Sequence, residues 1–379
     1  QVFGRPKGEK IKKEDIPAAT QLFTPHWIVR YMVENSLGRL WRNNRPDTVL
    51  AEQMEYYIEG DPEPEYLTIE GPEEITLLDP ACGSGHILTY AFDLLYGMYE
   101  ETGYSAEEIP SLILTNNLYG IDIDTRAAEL ASFALTMKAR EKDRFFFKRG
   151  VVPRVVAMED VSVDLREADI RMSPQLQEAF GYLSEATNFG SLIPVPAEVQ
   201  EEIEDLLADL DARGAADLFA DQAMTQVRSG LRQLGYLARR AHCVVTNPPY
   251  MNRSNANAGL GSLLEHDYAE TSSDTFASFL VVSLSRVRAR GYVAFMSPYV
   301  WMFIKTYLPL RDRLIGHNFI VSLVQLEYSG FEGATVPVCT AVVEASDSRS
   351  RRGAYIRLSE FRGPKSQPIK TLEAIRDHG

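Results

Sequence analysis

A short apolar run that stops in a glycine turn and is followed at once by a helix constrains this chain more than any other feature. Residues 75–79 (Ile-Thr-Leu-Leu-Asp) read as a buried strand, Cys82-Gly-Ser-Gly85 as the turn, and residues 86–99 as an apolar helix. The unit recurs. Residues 118–122 form a second strand before a helix over 125–140, and 155–158 a third strand that ends at Glu159-Asp160. Strands alternating with helices long enough to cross over a sheet predict an α/β fold, a doubly wound, Rossmann-like parallel sheet. The alternation resumes at 243–246 and continues with a helix over 276–287, a strand at 291–296, a helix over 303–315 and closing strands at 319–326 and 335–343.

Between the two halves, residues 167–240 carry no strand signal. From 198 to 221 there are nine acids against one base, Arg213, while Ile203, Leu206, Leu207 and Leu210 fall at i, i+3, i+4 and i+7. This is an acidic amphipathic helix in an insertion, read first as packing its own apolar stripe and second as a partner surface. The organisation expected is therefore a lead at 1–74, a first half at 75–166, the acidic helical insertion at 167–240, a second half at 241–345 and an exit linker at 346–379. The lead opens with Arg5, Lys7, Lys10, Lys12 and Lys13. Thr24-Pro25 then supplies an N-cap and a proline at the first helical position, which predicts a helix to about Leu40.

Composition narrows the function. With 39 Lys plus Arg against 53 Asp plus Glu, the net charge is −14, so any nucleic-acid contact must be local rather than driven by bulk charge. Cys82, Cys243 and Cys339 lie far apart and make neither a disulfide framework nor a cysteine metal site, which fits a reducing cytoplasm. No apolar stretch is long enough to span a membrane, and the first residues resemble neither a signal nor a transit peptide. Beginning at Gln1 and stopping at Asp377-His-Gly, the chain reads as a piece of a longer polypeptide.

Two motifs carry chemistry. Asp79-Pro-Ala-Cys-Gly-Ser-Gly85 stands at the carboxyl end of the first strand, where open α/β sheets bind ligands and where glycines let backbone N–H groups approach an anionic or zwitterionic ligand. An acid before such a turn suits a ligand amine. Asp122, closing the second strand, is placed to accept from ribose hydroxyls, while the neighbouring Asp124 is the natural N-cap of the next helix. Asn247-Pro-Pro-Tyr250 follows a buried strand. Its two prolines remove donors and leave carbonyls free, so an asparagine oxygen and the Pro248 carbonyl would bind a planar NH₂ group beside a tyrosine that offers a stacking face. Taken alone, each motif also reads as an ordinary turn.

Together, these strings resemble the cofactor and catalytic motifs of S-adenosylmethionine-dependent amino-methyltransferases. Gln21-Leu-Phe-Thr-Pro25, preceding both, resembles the further cofactor motif of adenine-specific DNA methyltransferases of the gamma arrangement. The longer strings from Gln21 to Leu37 and from Ser297 to Phe303 are most similar to the PglX methyltransferases of the BREX phage-defence system. The resemblance spans about residues 20 to 345. It implies S-adenosylmethionine as cofactor, with Thr24 and Pro25 at its carboxylate, Asp79, Ala81, Gly83 and Gly85 along its methionine part, Asp122 at its ribose, and Asp160, or alternatively Glu159, at its adenine. It implies Asn247, Pro248, Pro249 and Tyr250 as the catalytic turn, no metal, and double-stranded DNA with a flipped adenine as substrate. Other phage-defence proteins are the implied partners.

Tyr250 and Phe331 would pack on the flipped base, though Phe331 reads equally well as a core residue leading a strand. The polar loop at 251–261, with Asn252, Arg253, Asn255 and Asn257, would face the phosphates or be a plain flexible loop. Two departures stand out: relatives often carry Glu where Asp122 stands, and the insertion at 167–240 separates motifs that are usually closer. Protein glutamine methyltransferases and RNA base methyltransferases share the second motif, and a binding module active only within an assembly is a further alternative.

Overall fold

The computed structural model describes residues 12–13, 24–60, 65–165, 170–213, 218–328, 336–347 and 351–377. Eight strands make one sheet: β1 (Leu77–Asp79), β2 (Leu118–Asp122), β3 (Arg154–Ala157), β4 (Ala241–Thr246), β5 (Val287–Pro298), β6 (Phe319–Gln325), β7 (Val338–Glu344) and β8 (Ala354–Arg357). Their spatial order is β3-β2-β1-β4-β5-β7-β6-β8. The strands from β3 to β5 pair in parallel, and β7 inserts antiparallel between β5 and β6. The order turns back beside β1, with β2 on one side and β4 on the other, which makes the carboxyl ends of β1 and β4 the switch point where such sheets open a crevice.

Both faces are covered, as a parallel sheet requires. Leu77, Cys243, Val245, Tyr292 and Ala294 point into one apolar layer, shared with α1 (His26–Val33), α2 (His86–Glu101) and α3 (Thr125–Lys142). Their alternates Leu78, Val244, Val293 and Phe295 point into the other. That second layer is built with α4 (Pro174–Gly181), α5 (Gln200–Arg213), α6 (Leu218–Ala238) and α8 (Thr275–Ser285), while α7 (Ala258–Asp267) centres a smaller satellite cluster. Successive side chains thus take opposite faces along every central strand.

The insertion packs its own stripe. Ile203 and Leu210 of α5 are buried against Val227, Leu231 and Leu234 of α6, and the acids face outward. Three expectations need correction. The first helix does not stop near Leu40: it passes through a π-helical turn, Glu34–Gly38, and runs on as Arg39–Asn44. Its N-cap is Pro25, without a side-chain cap, because the Thr24 hydroxyl is engaged elsewhere. No single helix covers 303–315; short turns replace it, with Pro309 opening one of them. Phe303, Ile304, Leu308 and Ile315 stay exposed, so the apolar spacing there does not mark a core face. Finally, the expected exit linker contains β8, which pairs in parallel with β6, and the helix α9 (Ser366–Asp377); Ile356 and Leu358 are buried.

Candidate active site

Strand β1 delivers Asp79 to the crevice. Beyond it the backbone turns through Gly83, at φ 51°, and Gly85, at φ 82°, both left-handed. The two glycines are required for different reasons. A Cβ on Gly85 would lie 2.9 Å from the Ala131 Cβ of α3, so the turn must press against that helix. A Cβ on Gly83 would meet nothing within 4 Å, because it would project into an open groove. Asp122, at the end of β2, holds the turn: its Oδ2 accepts from Gly83 N–H at 2.7 Å and its Oδ1 from Asp124 N–H at 2.9 Å. Asp124 caps α3 through Arg126 N–H, as the sequence predicts.

Asp79 is almost fully buried. Its Oδ1 accepts from Ala81 N–H at 3.1 Å, but Oδ2 has no hydrogen-bond partner. Burial pushes its carboxyl up to about 7 and also raises that of Asp122. An unpartnered buried acceptor is costly unless something arrives to satisfy it, and a cation would do so best.

The second motif leaves β4 next door. The Asn247 Nδ2 donates to Thr24 Oγ1 at 3.0 Å, and the Tyr250 hydroxyl donates to Asn247 Oδ1 at 2.8 Å. The Tyr250 ring stands edge-on to Phe276, with centroids 6.3 Å apart, so in this state it packs inward rather than offering an open stacking face. Thr275 Oγ1 donates to the Pro249 carbonyl at 2.7 Å. Among the described residues no hydrogen bond reaches the Pro248 carbonyl, which leaves it as the acceptor of this turn.

Two connected spaces lie between the motifs. A cavity of about 120 Å³ is bounded by Ala81, Gly83, Asp122, Ile123, Phe189, Leu260 and Asn247. An open groove of about 600 Å³ is bounded by Thr24, Asp79, Gly83, His86 and Asn247. Ala81, Gly83, Asp124 and Asn247 line both.

One wall of the cavity, residues 188–192, comes from the acidic insertion, which sequence reasoning left without a role in the site. Ser191 Oγ fastens it to the Pro80 carbonyl at 2.6 Å, and Asn188 and Asn257 exchange amide hydrogen bonds at 3.1 and 2.8 Å. Its signal, Asn188-Phe-Gly-Ser191, has no periodicity and is only a small glycine turn behind an aromatic.

Not every expected residue converges here. Asp160 lies outside both spaces and is exposed; its Oδ1 accepts twice from Thr187 at 2.9 Å and its Oδ2 from Lys13. In the loop at 251–261, Asn252 and Asn257 cap local turns and Arg253 pairs with Glu265, so these side chains are turned to internal work. Phe331 and Gln21-Leu-Phe23 lie outside the described residues. Among the described residues no helix is long and apolar enough to cross a membrane.

This site can be set beside known proteins. The profile of the Eco57I restriction-modification methylase family matches residues 116–331, more than half of the chain, and that of the MmeI DNA-methyltransferase domain matches 72–158. The adenine-specific methyltransferase BrxX of Escherichia coli O9:H4 (strain HS) is 35% identical over 93% of this chain and 32% of its own length. The adenine-specific methyltransferase PglX of Lacticaseibacillus casei (strain Zhang) is 32% identical over 98% of this chain and 33% of its own. The chain therefore spans about a third of the length of these relatives. Two solved structures share the fold. The DrdV–DNA complex aligns with TM-score 0.53 and 14% identity over 93% of this chain and 29% of the other. A nuclease-deletion mutant of the Type ISP enzyme LlaGI, in complex with a DNA substrate mimic, gives 0.52 and 14% over 94% and 25%.

Proposed function

Since the chain belongs to the Eco57I restriction-modification methylase family, we propose that it binds S-adenosylmethionine in the groove and cavity beside Asp79 and methylates the exocyclic amine of an adenine extruded from DNA. One observation carries this reading: a ligand-sized space with an orphaned carboxylate oxygen at one end opens at the other onto Asn247, beside the Pro248 carbonyl. The residues present fit the cofactor. Asp79 Oδ2 matches an ammonium, the bare Gly83 leaves room for the ligand against the backbone, and Ile123, Phe189 and Leu260 give an apolar wall to a purine. Asp122 sits at the mouth shared by both spaces, where ribose hydroxyls would meet it.

When bound, S-adenosylmethionine supplies an electrophilic methyl group on a sulfonium sulfur. What the chain does is prepare the nucleophile. The adenine N6 lone pair is delocalised into the ring, and two acceptors, Asn247 Oδ1 and the Pro248 carbonyl, draw its N–H groups into a pyramidal geometry that exposes the pair. Positioning and fixed dipoles then supply the rate, with no covalent enzyme intermediate. The amine proton leaves to water, since neither acceptor holds a proton at neutral pH. Extruding the base costs a few kcal/mol, which stacking on Tyr250 offsets in part once that ring has turned out from Phe276.

The names of BrxX and PglX, and the DNA in the two solved structures, support DNA adenine as substrate and a role in phage defence alongside other proteins of such a system. The test is mass-spectrometric detection of N6-methyladenine in DNA incubated with the full-length protein and S-adenosylmethionine, with Asn247→Ala as control. Methylated glutamine peptides or RNA without N6-methyladenine in DNA, or transfer surviving in Asn247→Ala, would overturn the reading.

A further inference from the structure

We infer that Thr24 is a positioning residue whose hydroxyl relays occupancy of the groove to the Asn247 amide, so that the catalytic oxygen faces the target base only when an amino-acid carboxylate is bound. The inference rests on the reading of Asn247 as acceptor of the target amine. An asparagine amide has two ends of almost equal shape and opposite hydrogen-bonding character, and only the oxygen can accept from an N–H. Turned over, Asn247 would present its own N–H₂ to the adenine amine, donor against donor. Something must choose the end.

Both neighbours of the amide are hydroxyls. Tyr250 donates to Oδ1 at 2.8 Å, and Thr24 Oγ1 accepts from Nδ2 at 3.0 Å. A hydroxyl carries one proton and two lone pairs, so either neighbour alone would tolerate either orientation. Tyr250 cannot decide the matter, since it must leave when a base arrives. Thr24 can decide it if its single proton is claimed from elsewhere, because the oxygen then has only lone pairs to offer Asn247.

The geometry supplies the claimant. Thr24 is buried and lines the groove together with Asp79, the residue whose free oxygen marks the ammonium end of an amino acid. An α-carboxylate is attached one carbon away from that ammonium and takes the Thr24 proton. The relay then runs in one direction: Thr24 O–H to carboxylate, Asn247 Nδ2–H to Thr24 Oγ1, target N6–H to Asn247 Oδ1. Residues 223 positions apart in sequence thereby couple cofactor binding to base capture.

The experiment uses the full-length protein and DNA carrying 2-aminopurine at the target position, whose fluorescence rises as the base leaves the stack. S-adenosylhomocysteine, which keeps the carboxylate, should tighten capture by about three- to tenfold, the worth of one net hydrogen bond. 5′-Methylthioadenosine, which lacks the amino-acid part, should not. Thr24→Ser should keep the coupling and Thr24→Val, near in shape but without the hydroxyl, should lose it. Coupling that persists in Thr24→Val, or equal effects of the two ligands on wild type, would overturn the relay. The wild-type comparison decides the matter even if Thr24→Val does not fold. Because Asn247→Ala tests the underlying reading separately, abolished transfer in that variant together with intact coupling in Thr24→Val would sink the relay alone.

Discussion

Removing the hydroxyl of Tyr250 should tighten capture of the target base. In the ligand-free state that hydroxyl occupies Asn247 Oδ1 at 2.8 Å, the position an adenine N–H must take, so each capture event first breaks this bond. A neutral hydrogen bond of this kind is worth about 0.5–1.5 kcal/mol net. Relief from it corresponds to about a two- to tenfold gain in affinity. Tyr250→Phe keeps the ring, and with it a stacking contribution of roughly 1–3 kcal/mol, whereas Tyr250→Ala gives up both. Titrating each variant against DNA with 2-aminopurine at the target should therefore place Phe above wild type and Ala below it. A Phe variant that captures the base as weakly as the Ala variant would show that the hydroxyl assists the bound base rather than guarding the empty site.

Asp79 gives a pH signature. Its ordinary value is 3.8 and burial lifts it to about 7, so in the ligand-free chain this group favours the fold while protonated and ceases to do so as pH rises through about 7. An ammonium on Oδ2 reverses the preference: cofactor affinity should weaken as pH falls below about 7, with proton release on binding at pH 6 that fades by about pH 8.5. Calorimetry in buffers of different ionisation enthalpy reads that release, and its absence at pH 6 would put the ammonium elsewhere. The glycines should separate by phenotype. Gly85→Ala, left-handed and pressed on Ala131, should cost roughly 2–4 kcal/mol of stability. Gly83→Ala should cost about 1–2 kcal/mol and instead weaken cofactor binding, because its methyl enters the groove. Equal denaturant midpoints for the two variants would refute the distinction.

How far the sequence could be read follows from what each segment buries. Strand β2 is found at 118–122, as expected, because a fully apolar run bounded by turn residues has no other use in a parallel sheet. Asp124 was separable from Asp122 because a cap announces itself by its place before a helix. The series at 303–315 misled because exposed Phe303, Ile304 and Leu308 mimic a helix stripe whose counterpart in the core does not exist. Strand β8 was missed because it is an edge strand of four residues with only Ile356 buried, too little for periodicity to register. In the site, the turn at 79–85 and the turn at 247–250 were legible since glycine and proline restrict the backbone locally. The Phe189 wall and the Thr24–Asn247 bond were not, because both are decided by packing between distant segments.

The distance along the chain between Thr24 and Asn247 also sets a clock. At a synthesis rate of about 5–20 residues per second, the 223 positions that separate them take roughly 10–45 s to emerge from a ribosome. During that interval the nascent chain already carries Asp79, Gly83 and Asp122, yet it lacks first the wall at 188–192 and then the acceptor turn itself. Strand β1 must also wait for β4, its neighbour in the sheet but more than 160 residues later, before both its edges are paired. An interrupted translation product is therefore inert as a methylating agent, and competence arrives in a single late step, when β4 closes the sheet and brings Asn247 to a threonine made at the beginning.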